Sequence, residues 1–233
     1  MNLNDFTLKH VAREPLAGLP KDGSKPPLLV LLHGVRSNEN DLLGLVPMLD
    51  PRFYVVSAQA PIAMGPGAYG WYHVEFRPDG FLINDEEADH SRGLVLKFVE
   101  ELKARYPIDP DQVFLMGFSQ GCIMSLGVAL SNPKGVAGVV GMSGRLLKSS
   151  LAHMAPEPEL QGLPSFVVHG TRDQVIGIEY GREIKDVLSK LPVNLTYREY
   201  ETGHNVSRES LADIAVWLTD RLDAGTMRPD KLL

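Results

Sequence analysis

The sequence has little of what marks secreted, membrane-spanning or nucleic-acid-binding proteins. It contains one cysteine, Cys122, so an intrachain disulfide is excluded, which fits a reducing compartment. No apolar run reaches the length of a transmembrane helix, and residues 1–15 lack the apolar region of a signal peptide. Lysine and arginine form no cluster, and the formal net charge is −6. We therefore expect a cytoplasmic protein with no integral membrane segment and no nucleic-acid partner.

The composition is that of a globular protein. Hydrophobic residues make up 44% of the 233 residues and charged residues 22%, which is ordinary for a folded domain. A chain of this length can bury a sizeable core without dividing into two units. Neither an internal repeat nor a domain linker interrupts it. We expect a single domain over residues 1–233.

Apolar runs alternate with helical patterns along the chain. The runs lack polar–apolar alternation, which is typical of strands covered on both faces of a parallel sheet. They lie at 28–32, 53–57, 113–116, 136–142 and 165–168, and a more alternating strand at 195–200 is expected near a sheet edge. Helices are predicted over 120–130 and 180–191, and a terminal helix is predicted to begin after Ser207. This order predicts an α/β fold with a mostly parallel central sheet and helices on both faces.

Residues 60–88 break the alternation of strands and helices. The segment is rich in glycine, proline and aromatic residues and has little regular pattern. Long loops of this kind are either functional or disordered, and the aromatic content favours function. We interpret the segment as a loop insertion that binds substrate.

Ser119 stands in Gly117-Phe118-Ser119-Gln120-Gly121, between an apolar strand and an apolar helix. This strand–turn–helix context is that of the nucleophile elbow, a strained turn that presents a serine at the carboxyl end of a sheet. The alternative is a turn rich in glycine and serine without a chemical role. The strand before it and the helix after it favour a nucleophilic serine in an α/β-hydrolase fold.

A serine nucleophile needs a base, and the base needs an acid to orient it. In this fold the partners follow the serine in the order acid, then histidine. His204, in a loop before the last helix, is the predicted base, and Asp173, after the strand at 165–168, is the predicted acid. Alternative acids that occupy a predicted helix or strand are Glu179, Glu199 and Glu201.

The oxyanion of the tetrahedral intermediate requires two backbone N–H donors. One is expected from Gln120, the residue directly after the nucleophile. The other is expected from Val35, in the loop after the strand at 28–32, where Gly34 lets the backbone bend.

Taken together, the motifs resemble the phospholipase/carboxylesterase family of α/β-hydrolases, which includes the acyl-protein thioesterases. The resemblance extends over roughly residues 26–222. The motifs that carry it are Leu32-His33-Gly34, Asn38-Glu39-Asn40-Asp41-Leu42, Ala60-Pro61, Gly-Phe-Ser-Gln-Gly at 117–121, His-Gly-Thr-Arg-Asp-Gln-Val at 169–175 and Gly203-His204.

The resemblance implies hydrolysis of carboxylic esters, thioesters or lysophospholipids through an acyl-enzyme, with no metal or organic cofactor. It assigns the triad to Ser119, Asp173 and His204 and the oxyanion donors to Val35 and Gln120. By the same resemblance, a segment around Trp71 forms a wall of the acyl pocket, and we include Met64 and Tyr69 in that predicted substrate-binding set. Cys122 and Arg36 depart from the family pattern, since many members have glycine at these places.

Other functions stay open at this point. A dienelactone-hydrolase-like or peptidase-like reaction on the same fold is one alternative, although dienelactone hydrolases usually have a cysteine nucleophile where Ser119 stands. A catalytically inactive ligand-binding protein is another. The expected partner is a small-molecule or acyl-chain ester, and a homodimer is left open. The sequence contains no His-Glu-x-x-His motif, so a metallohydrolase is disfavoured.

Overall fold

The computed structural model describes residues 6–77 and 80–226. Eleven strands occur in this part of the chain. In chain order they are β1 (His10–Arg13), β2 (Leu28–Leu32), β3 (Tyr54–Ala58), β4 (Ile62–Gly65), β5 (Ala68–Gly70), β6 (Val74–Arg77), β7 (Gly80–Ile83), β8 (Val113–Phe118), β9 (Gly138–Met142), β10 (Pro164–Gly170) and β11 (Asn194–Tyr200).

Seven of these strands form the central sheet, in the order β1-β3-β2-β8-β9-β10-β11. Strand β1 pairs antiparallel with β3, and all other neighbours in the sheet are parallel. The mostly parallel sheet and the edge position of β11 are therefore confirmed. Strands β4 and β5 form one separate hairpin, and β6 and β7 form another.

Six α-helices are described: α1 (Asp85–Arg105), α2 (Gln120–Ser131), α3 (Lys148–Ala152), α4 (Glu157–Leu160), α5 (Ile178–Leu188) and α6 (Arg208–Thr226). Short 3-10 helices lie at Leu42–Met48 and Pro133–Gly135. One apolar core includes residues of α1, α2 and α5, and the other includes residues of α6 and the first 3-10 helix. Alternate residues of β2 enter the two cores, so both faces of the sheet are covered as predicted.

Some predicted boundaries differ from the structure. The segment 60–88 is not an irregular loop, because it contains the two hairpins and the first turn of α1. Asn84 caps this helix by accepting a hydrogen bond from the backbone N–H of Glu87 (3.1 Å). Helix α5 ends at Leu188 instead of 191, where the chain continues in tight turns. The Ser207 cap is confirmed, since its Oγ accepts from the backbone N–H of Ser210 (3.1 Å).

The turn from β8 into α2 crosses β2 at very short range. A Cβ atom on Gly117 would overlap the carbonyl group of Gly121, and one on Gly121 would overlap the carbonyl oxygen of Leu32. These atoms belong to the backbone, so no side-chain rotation can relieve the overlap. The two glycines are therefore a steric requirement of the turn that carries Ser119.

Substitution Gly121→Ala should destabilise the protein by several kcal/mol or prevent its folding, because the backbone of β2 would have to move. Gly93→Ala is the matched control, since Gly93 is exposed in α1 with no atom near its missing Cβ. It should be neutral or stabilising by about 0.5–1 kcal/mol. Urea unfolding of the two variants and wild type measures the difference. Equal stabilities for Gly121→Ala and wild type would contradict the steric argument.

Candidate active site

Ser119 occupies the turn between β8 and α2 in a conformation that non-glycine residues rarely adopt. Its φ is 56° and its ψ is −118°. The turn is held by a hydrogen bond from the Ser119 backbone N–H to the carbonyl of Met142 (2.9 Å) on β9. Such backbone strain persists only where the surrounding structure imposes it, and it is concentrated at functional sites.

Three side chains predicted from the sequence lie in hydrogen-bond contact. His204 Nδ1 donates to Asp173 Oδ2 (2.7 Å), so its Nε2 is free to accept from Ser119 Oγ (3.0 Å). The ring of Phe118 lies against His204, with centroids 4.8 Å apart. The arrangement leaves the imidazole placed to take the hydroxyl proton of the serine.

Asp173 is buried and is held as a carboxylate. Its Oδ1 accepts hydrogen bonds from the backbone N–H groups of Val175 and Ile176, both 2.9 Å. Burial by itself raises the pKa of Asp173, but the hydrogen bond from His204 and those from the two amides outweigh it, so the pKa lies below its ordinary value. An ionised Asp173 keeps the His204 proton on Nδ1.

The loops that carry Asp173 and His204 are packed against each other. The backbone N–H of Arg172 donates to the carbonyl of Thr202 (3.0 Å). A Cβ on Gly170 would press into the backbone carbonyls of Thr202 and Gly203, so the close approach needs glycine at position 170. This contact fixes the distance between the acid and the base.

The alternative acids have other partners. Glu199 accepts hydrogen bonds from Arg182 (2.9 Å) and Tyr197 (3.1 Å), and Glu201 pairs with Arg172. The side chain of Glu179 lies by Gly177 at the start of α5. The structure therefore brings Asp173, and none of these three glutamates, to the imidazole.

The two predicted oxyanion donors lie beside Ser119. A Cβ on Gly34 would be 3.3 Å from the Cβ of Ser119, so the loop after β2 passes directly over the nucleophile. Val35 and Gln120 line one cleft with Ser119. Gln120 is also the first residue of α2, where the helix has backbone N–H groups without an intrahelical acceptor. The role of these two backbone N–H groups as oxyanion donors stays a prediction.

The side chain of Gln120 has a role that the sequence did not indicate. Its Oε1 accepts from the backbone N–H of Trp71 (3.0 Å), and its Nε2 donates to the carbonyl of Tyr72 (2.8 Å). Gln120 and Tyr72 are nearly fully buried and Trp71 has no exposed surface. One side chain thus fixes the segment 71–72 to the start of α2.

Trp71 does not have the position that was predicted for it. Its indole Nε1 donates to the carbonyl of His33 (2.9 Å), and the complete burial of the ring leaves no face for a substrate. Trp71 supports the oxyanion loop from behind, so its predicted direct contact with a substrate is corrected, whereas Tyr72 and Val74 of the predicted segment do line the cleft with Ser119. The reason is that the hydrogen-bonding indole N–H turns the ring into the core.

Met64 and Tyr69 lie in the β4–β5 hairpin. The Met64 side chain packs over Gly70, and the backbone N–H of Tyr69 donates to the carbonyl of Ser37 (2.8 Å). Neither is among the described residues that line the cleft with Ser119. Their contact with a substrate stays a prediction.

The cleft at Ser119 is mainly apolar. Strands β6 and β7 contribute Val74, Phe81 and Ile83, and the loop after Asp173 contributes two further residues. Besides Ser119, the described lining residues are Val35, Tyr72, Val74, Phe81, Ile83, Gln120, Ile123, Arg145, Val175 and Ile176. Much larger cavities exist elsewhere on the surface, but none of their lining residues belongs to the triad.

Cys122, the one cysteine of the sequence, is fully buried. Its sulfur occupies space that side chains at Gly141 and Gly144 would need, so glycine at these two positions makes room for it. Burial raises the pKa of the Cys122 thiol, which disfavours the reactive thiolate. Cys122 is therefore a packing residue beneath the nucleophile turn.

Residues 6–77 and 80–226 contain neither a cluster of metal ligands nor a membrane-spanning helix. No three His, Cys, Asp or Glu side chains in these ranges come together as a set able to hold a metal ion. No helix within residues 6–77 and 80–226 combines the length and apolar character needed to cross a bilayer.

Comparison with known sequences places the chain beside esterases and thioesterases. The sequence model described as phospholipase/carboxylesterase matches residues 19–221. Acyl-protein thioesterase 1 of Neurospora crassa is 29% identical over 166 residues, which cover 67% of this chain and 66% of that protein. Acyl-protein thioesterase 1 of Yarrowia lipolytica is 29% identical over 171 residues, covering 70% of this chain and 74% of that protein.

Solved structures agree on the fold. The carboxylesterase of Bacillus cereus superposes with a TM-score of 0.77 at 20% identity, covering 94% of this chain and 96% of that chain. Acyl-protein thioesterase 2 of Zea mays superposes with a TM-score of 0.72 at 22% identity, covering 91% of this chain and 98% of that chain. The α/β-hydrolase fold predicted from the sequence is thereby confirmed.

Substitution Gln120→Met should lower the free energy of unfolding by about 1–3 kcal/mol, because it leaves the buried N–H of Trp71 and carbonyl of Tyr72 unpaired at nearly constant volume. Gln161→Ala, an exposed position, is the control and should change stability by less than about 0.5 kcal/mol. Urea unfolding measures both variants. A Gln120→Met protein as stable as wild type would show that this bridge does not hold the segment 71–72.

Proposed function

The chain belongs to the phospholipase/carboxylesterase family, and on that premise we propose that it hydrolyses carboxylic esters or thioesters through an acyl-enzyme on Ser119. The observation that carries the assignment to this serine is the continuous hydrogen-bond chain from Asp173 through His204 to Ser119 Oγ. The strained turn supports it, because it holds that hydroxyl at the cleft.

The geometry supports acyl transfer in two steps. His204 Nε2 takes the proton of Ser119 Oγ as the oxygen attacks the carbonyl carbon, and the oxyanion is stabilised by the N–H groups of Val35 and Gln120. The imidazolium then gives its proton to the leaving alcohol or thiol, which departs from the acyl-enzyme. Water, activated by His204, then attacks the acyl-enzyme in the same way and releases the acid and free Ser119.

Asp173 contributes to both steps without losing its charge. Its carboxylate keeps His204 in the tautomer with the proton on Nδ1 and stabilises the imidazolium that forms during each step. The hydrogen bonds from Val175 and Ile176 hold the carboxylate in place. Because these partners keep the pKa of Asp173 below its ordinary value, the acid stays ionised over the range in which the enzyme is expected to work.

The substrate is proposed to enter the apolar cleft with its acyl or alcohol part against β6 and β7. Val74, Phe81 and Ile83 of this hairpin line the cleft, which supports a substrate-binding role for the segment 60–88 as part of one domain. The relatives named as acyl-protein thioesterases favour thioesters as a second substrate class. A cytoplasmic location and a homodimer stay predictions, the former supported by the single buried thiol.

Family membership and the intact hydrogen-bond chain disfavour the alternatives. A catalytically inactive binding protein has no need for a polarised serine in a strained turn. A dienelactone-hydrolase-like or peptidase-like substrate would use the same three side chains, so substrate profiling decides among these reactions.

A panel of 4-nitrophenyl esters from acetate to palmitate, with the matching thioesters of a small thiol, should show turnover by wild type. Ser119→Ala should reduce kcat by on the order of 10⁴-fold or more, because the nucleophile is removed. Ser189→Ala, at an exposed position after α5, is the control and should match wild type. Absence of turnover on every member of the panel, or wild-type turnover by Ser119→Ala, would contradict the proposal.

A further inference from the structure

Arg145 is the one charged side chain among the described residues that line the cleft. It follows β9, which pairs with β8, so its loop emerges at the same edge of the sheet as Ser119. The chain turns there through Ser143, whose φ is 49°, and Gly144, which packs against Cys122. The loop is therefore fixed, and it directs Arg145 toward the site.

Two aromatic rings hold the guanidinium of Arg145. Its Cζ lies 4.4 Å from the ring centroid of Tyr180 on α5 and 5.3 Å from that of Phe81 on β7. The two rings also contact each other edge to face, with centroids 5.6 Å apart. Cation–π contacts orient the planar group and leave the hydrogen-bonding edges of a guanidinium available.

No acceptor or counter-ion for Arg145 is found within residues 6–77 and 80–226. Its buried Nε has no hydrogen-bond partner, and no carboxylate of these residues lies within salt-bridge distance. The exposed Arg182 and Arg198, by contrast, pair with Glu199 and Asp213. A half-buried cation without a hydrogen-bond acceptor or a counter-ion lowers the stability of the fold, whereas an exposed cation is solvated by water.

Arg145 lines the same cleft as the apolar side chains of Val74, Phe81 and Ile83. Burial raises the pKa of the Tyr72 phenol, and the charge of Arg145 acts on that pKa in the opposite direction. The carboxylate of Asp173 is occupied by His204 and two backbone amides. The charge of Arg145 is thus free to act on a ligand.

We propose that Arg145 binds a carboxylate of the substrate, so that the preferred substrate is an ester or thioester with a carboxylate near the scissile bond. This specificity rests on the hydrolysis proposed for Ser119 and leaves its chemistry unchanged. A carboxylate matches the planar guanidinium with two parallel hydrogen bonds, and one negative charge balances one positive charge. A phosphate would bring nearly two negative charges into an apolar cleft with a single cation.

The test uses two matched pairs of esters. The 4-nitrophenyl monoester of glutarate and 4-nitrophenyl valerate differ by a carboxylate at the end of the acyl chain. The compounds 4-carboxyphenyl acetate and 4-methylphenyl acetate differ by a carboxylate on the leaving group. The measured quantity is the ratio of kcat/KM for the charged ester to that for the neutral one, which cancels any general loss of activity.

Wild type should prefer the charged ester in at least one pair, and Arg145→Gln should reduce that ratio by about 10- to 100-fold because the charged hydrogen bonds are lost. Arg13→Gln removes the same charge from the exposed edge strand β1 and should leave the ratio unchanged. Calorimetric binding of the glutarate monoester to Ser119→Ala, and its loss in the double variant with Arg145→Gln, gives a readout without turnover.

A ratio at or below one in both pairs, or the same ratio in wild type and Arg145→Gln, would overturn the role of Arg145 while neutral esters are still hydrolysed. Failure of wild type to hydrolyse any of the four esters would instead overturn the hydrolysis proposed for Ser119, and the specificity with it. The two failures are therefore distinguishable.

Discussion

The crossing of the β8–α2 turn over β2 is the contact on which the site depends. Gly117 and Gly121 have no room for a Cβ because backbone carbonyls occupy the space. The crossing places Ser119 at a positive φ, with its hydroxyl at the carboxyl edge of the sheet. It also brings the start of α2 beside the loop after β2, so the nucleophile and both expected oxyanion donors are positioned by one packing contact.

A second feature connects this turn to the cleft. The side chain of Gln120 joins backbone groups of Trp71 and Tyr72, and the indole of Trp71 in turn donates to the carbonyl of His33. Residues far apart in the chain thereby form one buried hydrogen-bonded unit around the oxyanion loop. The β6–β7 hairpin follows this unit directly in sequence, so the wall of the cleft is connected to the residues that support the oxyanion loop. Within that wall, Arg145 supplies the only charge among the described lining residues, and this makes charge a candidate determinant of substrate choice.

Much of the fold and the contact among the three side chains of the proposed triad could be predicted because their signals are local. Apolar runs mark buried strands, and Ser119, Asp173 and His204 each follow a strand in the order this fold requires. The roles of Gln120 and Trp71 could not be predicted, since they depend on hydrogen bonds between residues 49 and 38 positions apart in the chain. The hairpins within 60–88 were missed because strands of three or four residues have too few positions to show a period.

In the proposed mechanism, Asp173 and His204 make Ser119 a reactive nucleophile. The most direct measurement is the rate at which a fluorophosphonate labels the folded protein, with the modified peptide located by mass spectrometry. The adduct should form on Ser119, it should be absent from protein unfolded in urea, and Asp173→Asn should slow its formation by on the order of 10³-fold or more, since the imidazole loses its correct tautomer. Labelling of another residue, or an equal rate in Asp173→Asn, would contradict the account.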